Sequence, residues 1–139
     1  MLQAGTDTAT RLRVLVVDDS AMLRDHVRVA LEGAGLKVIG EAADGAHALT
    51  QAATRGPDVV LMDLRMPGMD GIQAARALRE QQPGTRVVLW TGEDDAQLAS
   101  AIRKSGAHAG VAKGIPTVDL VATLRRVCEA CPRPEQGVR

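Results

Sequence analysis

The sequence predicts an α/β fold: one parallel five-stranded sheet with helices on both faces. Three observations carry this. Short unbroken apolar runs at 14–17, 59–62 and 87–90 have the length and composition of strands covered on both sides. Segments with the 3.6-residue apolar period of helices lie between them. Gly or Pro marks most of the junctions. Five strands alternating with five helices argue for right-handed crossovers within a single sheet.

Taken in order, residues 14–17 form the first strand and end on Asp18-Asp19. Ser20 is placed to cap the helix that follows, with Leu23, Val27, Ala30 and Leu31 on its inner face and Gly33 and Gly35 at its end. Residues 37–42 read as a more polar strand suited to a sheet edge. Asp44-Gly45 opens a helix with Leu49, Ala52 and Ala53 inward, closed by Gly56-Pro57. The third strand ends on Asp63, and Pro67, Gly68 and Gly71 mark a tight loop after it. Ile72, Ala75 and Leu78 mark the third helix, which Pro83-Gly84 closes. The fourth strand, 87–90, leads into Thr91-Gly92, and Leu98, Ala101 and Ile102 mark the helix beyond it. The fifth strand, 109–112, is short and ends on Lys113. Thr117 is placed to cap the last helix, with Asp119 in its first turn and Leu120, Leu124, Val127 and Cys131 on one face. Residues 1–11 are expected to form a flexible arm, 12–131 the domain, and 132–139 a flexible tail or the start of a linker.

Composition narrows the function. A chain of 139 residues fits one domain. Phe and Tyr are absent and Trp90 is the one aromatic, so the core must be aliphatic. The 17 acidic and 17 basic residues cancel, so no global field draws in nucleic acid or an anionic membrane. No apolar run approaches the roughly 20 residues of a membrane span. The polar N-terminus lacks a signal-peptide core, and the expected location is cytoplasmic. Cys128 and Cys131 form a lone C-x-x-C at the end of the last helix. It has no second ligand pair for zinc and is wrongly placed for a thioredoxin-type site. His26, His47 and His108 are scattered and not expected to be ligands.

A parallel sheet puts the C-terminal ends of its strands on one edge, where such folds bind their ligands. Asp18, Asp19, Asp63, Thr91 and Lys113 all stand at strand ends. Each alone reads as an ordinary loop residue; together they make a site. Three neighbouring carboxylates repel, so they raise one another's pKa or capture a cation. A small all-oxygen set suits Mg²⁺, or Mn²⁺, with a phosphate completing the shell. A carboxylate can attack phosphorus to give an acyl phosphate. A divalent ion and Lys113 would neutralise charge on the transferring group, and Thr91 could donate a hydrogen bond to it. No Walker-type loop is present, so a nucleotide is not the obvious donor.

These motifs resemble the receiver domain of two-component response regulators. The resemblance spans about residues 13–130. It rests on V-V-D-D-S at 16–20, M-D-L-R-M-P-G-M-D-G at 62–71, W-T-G at 90–92, and Lys113 after a short strand. It implies a doubly wound (βα)5, flavodoxin-like fold with strand order 2-1-3-4-5. It also implies that Asp63 accepts a phosphoryl group from a histidine kinase. Asp19 would bind Mg²⁺ directly, Asp18 would help hold it through water, and the backbone carbonyl of Arg65 would add a ligand. Thr91 and Lys113 would engage the phosphoryl group. The face made by the fourth helix, fifth strand and fifth helix would then change its contacts with a downstream protein, and the same face is a candidate homodimer surface.

Two positions depart from the family pattern. An aromatic or His usually stands three residues before the lysine and swings inward on activation; here that residue is Gly110. Pro usually follows the lysine; here it is Gly114, with Pro116 displaced. The usual aromatic switch therefore cannot operate. His108, of the same strand parity as Gly110, is the candidate substitute. Arg65 and Glu93, each two residues beyond Asp63 and Thr91, flank the expected path of the hydrolytic water and are candidate modulators of lifetime.

Other readings compete with this one. Haloacid-dehalogenase phosphatases use a similar Asp, Thr and Lys set, but carry a D-x-D on the first strand that is missing here, so no enzymatic turnover is expected. A non-switching pseudo-receiver that only binds a partner is motivated by Gly110 and Gly114. Flavin binding is disfavoured by the lone aromatic and by acids where phosphate would sit. The wording of residues 63–71 resembles receivers joined to helix-turn-helix DNA-binding domains; none fits after Cys131, so the expectation is either a stand-alone receiver acting through protein contacts or a receiver cut from a longer helix-turn-helix regulator at its linker, and no nucleic-acid or membrane contact by this domain itself is expected.

Overall fold

The computed structural model describes residues 11–92 and 94–130. Most of the expected arm and tail, together with Glu93 and Cys131, lies outside the described residues. The elements are β1 (Arg13–Val17), α1 (Ala21–Gly33), β2 (Lys37–Ala42), α2 (Gly45–Arg55), β3 (Val59–Asp63), α3 (Gly71–Gln81), β4 (Arg86–Thr91), α4 (Asp95–Ser105), β5 (Ala109–Ala112) and α5 (Thr117–Ala130). All strand pairs are parallel and the order is β2-β1-β3-β4-β5, so the expected fold holds.

The two-residue period of the strands sorts the core into two layers. Leu15, Val17, Val60, Met62, Val87 and Leu89 face α2, α3 and α4, where Ala48, Ala52, Ala74, Ala75, Leu78, Leu98 and Ala101 receive them. Val14, Val16, Val59, Leu61, Val88, Trp90 and Val111 face the other way, onto Val27 and Leu31 of α1 and Leu120, Val121, Leu124 and Val127 of α5. β1, β3 and β4 are buried along both layers, which is why they read as continuous apolar runs. Each fully buried aliphatic side chain contributes roughly 1.5–3 kcal/mol.

Helix ends follow local chemistry. Ser20 Oγ accepts from the Leu23 N–H at 3.2 Å, Asp44 Oδ1 from His47 at 2.8 Å and Asp94 Oδ1 from Gln97 at 2.8 Å. Asp70 and Gln73 form a reciprocal capping box at the start of α3. Gly56 and Gly106 close α2 and α4 in the left-handed conformation, with φ of 57° and 77°.

The structure corrects four local expectations. Leu23 is exposed, because it lies on the rim of an open cavity shared with Lys113 and Ile115 and no side chain fills that space. Ala53 is exposed, since the buried stripe of α2 runs through Gly45, Ala48 and Ala52. Thr117 is the first helical residue and not the cap; the Pro116 carbonyl accepts the first bonds, from Asp119 at 3.0 Å and Leu120 at 3.1 Å. His108 cannot stand in for an aromatic at 110. It precedes β5, at the end of the sheet opposite Lys113. Its Nδ1 accepts from the Val87 N–H at 3.1 Å, and its Nε2 lies 2.9 Å from an Arg79 nitrogen. Burial, with Arg79 and Arg86 nearby, pushes its pKa down.

Candidate functional site

Strand register brings the site together. Val17 pairs with Met62, so Asp18 and Asp63 emerge side by side from β1 and β3. Asp63 pairs with Trp90, and Thr91 with Ala112, so Thr91 and Lys113 follow at the next two strand ends. The Lys113 N–H donates to the Thr91 carbonyl at 2.8 Å and fixes the start of the β5–α5 loop.

Lys113 is the hub. Its Nζ donates to Asp18 Oδ2 at 2.8 Å and lies 3.2 Å from Asp63 Oδ1. Asp63 Oδ1 also accepts from the Arg65 N–H at 3.3 Å. Asp18 Oδ1 accepts from the Ser20 N–H at 2.8 Å, and its carbonyl accepts from Arg24 Nη1 at 2.6 Å. Asp18, Asp63 and Thr91 are buried, whereas Asp19 is exposed.

Burial and then the Asp18 charge raise the pKa of Asp63, with Lys113 opposing. Burial would lower the pKa of Lys113, but its bonds and charge contacts with Asp18 and Asp63 outweigh that and raise it. The ammonium therefore stays charged against the two carboxylates.

Asp18, Asp19 and Asp63 each offer an oxygen, all within 4.8 Å of one another. Three carboxylate oxygens at that spacing fit a hard divalent cation. Both Asp18 oxygens already have donors, which leaves Asp19 and Asp63 better placed for direct ligation. A cleft of about 750 Å³, lined by Asp19, Arg65, Asp70, Gln97 and Lys104 among others, opens beside the acids.

Close backbone packing holds Asp63 in place. The Gly71 N–H donates to the Leu64 carbonyl at 2.9 Å. A Cβ at 71 would lie 2.5 Å from the Asp63 carbonyl oxygen and 2.8 Å from Leu64 Cα, so only glycine lets α3 start this close to the strand tip. Gly114 has φ +99°, a conformation closed to proline, whose ring fixes φ near −65°. Gly110 is sealed from the other side: a Cβ there would meet Leu98 Cδ1 at 2.6 Å and Ile102 Cδ1 at 2.9 Å.

The structure thus gathers Asp18, Asp19, Asp63, Thr91 and Lys113 at one edge and puts Arg65 on its rim. Glu93 lies outside the described residues. Two contributors escape sequence reasoning. Arg24 reads as a solvated helix residue, yet it ties the Asp18 carbonyl to Glu41 of β2, with Nε 3.1 Å from the Glu41 carboxylate. Trp90 reads only as the lone aromatic, yet its ring lies 5.3 Å from Lys113 Nζ.

A family model described as the response regulator receiver domain matches residues 14–125. The chain belongs to the response regulator receiver family. This receiver is 36% identical over 117 residues to the response regulator GacA of Pseudomonas aeruginosa, a match covering 84% of this chain and 55% of GacA. It is 43% identical over 96 residues to protein-glutamate methylesterase/protein-glutamine glutaminase 3 of Hahella chejuensis, covering 68% of this chain and 28% of that protein. The chain therefore spans about half or less of the length of these relatives. Among solved structures, the signal receiver domain of the putative response regulator NarL from Mycobacterium tuberculosis superposes with a TM-score of 0.80 at 36% identity, covering 87% of this receiver and 98% of that domain. Aspartyl phosphorylation with Mg²⁺ is typical of the family. No helix among the described residues is long and apolar enough to cross a membrane.

Proposed function

We propose that this receiver accepts a phosphoryl group on Asp63 from a histidine kinase, in a Mg²⁺-dependent reaction, and passes the signal on through altered protein contacts. The observation that carries the reading is the position of Asp63. It is a buried carboxylate at a strand tip, with one oxygen engaged by Lys113 and Arg65 and the other, Oδ2, taking neither contact. Oδ2 attacks phosphorus as the bond from phosphorus to the donor imidazole nitrogen breaks, and the imidazole leaves with that electron pair. Asp19 and Asp63 would hold the metal directly, Asp18 through water, and the Arg65 carbonyl would add a ligand. Bound there, Mg²⁺ (or Mn²⁺) supplies positive charge to the phosphoryl oxygens. Lys113 pairs with the group once it is attached, and the Thr91 hydroxyl bonds a phosphoryl oxygen. The domain is a phosphoacceptor that promotes its own phosphorylation and dephosphorylation, and not a turnover enzyme. The output partner is a protein, reached through the α4–β5–α5 face, which is also the proposed homodimer surface. The proposed location is cytoplasmic.

Intact mass after incubation with phosphoramidate tests the reading. One added phosphoryl group that requires Mg²⁺ and is lost in Asp63→Asn is expected. No added mass under any condition would leave the second reading, a receiver-shaped binding module, which the closed packing at Gly110 favours.

Two further outcomes follow from the site. Protons compete with the metal for carboxylates. Because burial and Asp18 raise the pKa of Asp63, Mg²⁺ affinity is expected to weaken on acidification from a pH above the ordinary carboxylate range. Calorimetric titration across pH checks this, and a decline confined to that ordinary range would contradict it. The long Arg65 side chain is exposed on the rim of the site and hinders the hydrolytic water. Arg65→Ala is expected to lose its phosphoryl group several times faster than wild type (on the order of 1 kcal/mol in barrier), and equal decay rates would refute the role.

A further inference from the structure

We infer that Trp90 is the positioning residue for Lys113: the face of its indole holds the ammonium over Asp18 and Asp63. This rests on the proposed function, because it explains how the lysine is kept where the reaction needs it.

Trp90 lies on β4 beside Thr91 and pairs with Asp63 on one side and Val111 on the other. It is 6% exposed, and Lys113 Nζ lies 5.3 Å from its ring centroid. That is inside the roughly 6 Å within which an ammonium is drawn to the π face. The same nitrogen reaches Asp18 at 2.8 Å and Asp63 at 3.2 Å. The ammonium is therefore bounded by two carboxylates and by one aromatic face.

A space-filling role does not account for the indole. The chain has no Phe and no Tyr, and its sheet core is otherwise aliphatic, built from Val, Leu, Met and Ala. An aliphatic side chain at 90 would fill the same layer without burying a polar group. Trp90 does bury one: among the described residues its Nε1–H has no hydrogen-bond partner, which is a penalty. What the indole offers that Leu or Met does not is the negative face turned to Lys113.

Lys113 needs such a constraint. Its side chain is long, 26% exposed, and followed at once by Gly114. It lines a mainly apolar cavity of about 340 Å³ with Leu23, Ile115 and Thr117 among the walls, into which the chain can swing. The ring favours the rotamer that keeps Nζ over the acids.

The test compares wild type with Trp90→Leu, which removes the ring, Trp90→Phe, which restores one, and Lys113→Met, which assigns the lysine signals. In the apo protein, ring current should shift the Lys113 ε-methylene protons upfield in NMR spectra. The shift should vanish in Trp90→Leu and be largely kept in Trp90→Phe. With Mg²⁺ and phosphoramidate, Trp90→Leu should be phosphorylated about three- to tenfold more slowly, with Trp90→Phe recovering most of the rate. A wild-type spectrum with no upfield lysine methylene overturns the inference. So does a Phe variant as slow as the Leu variant, which would make the role steric. Should Trp90→Leu not fold, the shifted signal in wild type and its loss in Lys113→Met still decide. If wild type takes up no phosphoryl group, the Asp63 reading fails, while the NMR comparison, which needs no phosphoryl chemistry, still judges the placement of Lys113.

Discussion

Lys113→Met is expected to slow phosphorylation of Asp63 by phosphoramidate about a hundredfold, the usual scale for losing one preorganised charge at a reacting group. Mg²⁺ should bind the variant at least as tightly as wild type. Both follow from the position of Nζ, 2.8 Å from Asp18 and 3.2 Å from Asp63. In the resting protein the ammonium offsets the repulsion between two buried carboxylates, and so competes with any other cation for them. Removing it leaves the acids more dependent on a divalent ion. It also strips the incoming phosphoryl group of its protein-borne positive charge. Rate from intact mass and affinity from calorimetry separate the two effects. If metal affinity collapses together with the rate, Lys113 serves to hold the acid cluster together and not to meet the phosphoryl group.

Gly110→Tyr, which restores the aromatic common in the family, is expected to destabilise the fold by about 1–3 kcal/mol, the cost of overpacking a filled core. A Cβ at 110 would meet Leu98 Cδ1 at 2.6 Å and Ile102 Cδ1 at 2.9 Å, so both side chains must turn aside before a ring fits. Against a total stability of roughly 5–15 kcal/mol for a domain of this kind, that is a visible loss. Urea unfolding of wild type, Gly110→Tyr, Leu98→Ala and the double variant forms a cycle. The double variant should be more stable than the sum of the single losses, because the smaller residue at 98 makes room for the ring. Strict additivity, or an undisturbed Gly110→Tyr, would mean that α4 does not seal this position. Leu98 and Ile102 occupy the space a side chain at 110 would take, so the aromatic swing usual in the family has no counterpart at this position.

The fold was legible because β1, β3 and β4 are buried on both sides, and their apolar runs have few other readings. The site was legible because parallel topology sends every strand tip to one edge, so Asp18, Asp63, Thr91 and Lys113 needed only their places in the order of strands. What escaped depends on which way a side chain turns and on what lies across from it. Arg24 has the helical position of a solvated residue and was hidden by that; only the approach of β2 gives it Glu41 and the Asp18 carbonyl. Trp90 reads as core because nothing local says that Lys113, just past the end of the neighbouring strand, folds back over it. His108 shared strand parity with Gly110, but parity does not carry it along the strand, and Val87 and Arg79 hold it at the far end of the sheet. Leu23 keeps the helical period yet borders an open cavity and stays exposed. Period assigns a face and does not say whether another element covers it.

The central claim is that Asp63, and no neighbouring acid, carries the phosphoryl group. Borohydride reduction of protein treated with phosphoramidate and Mg²⁺ tests it most directly, because it converts an aspartyl phosphate to homoserine, which peptide mass spectrometry locates. Homoserine at position 63, dependent on Mg²⁺ and absent from Asp63→Asn, is the predicted result. Homoserine at 18 or 19, or none at any acid, would contradict it.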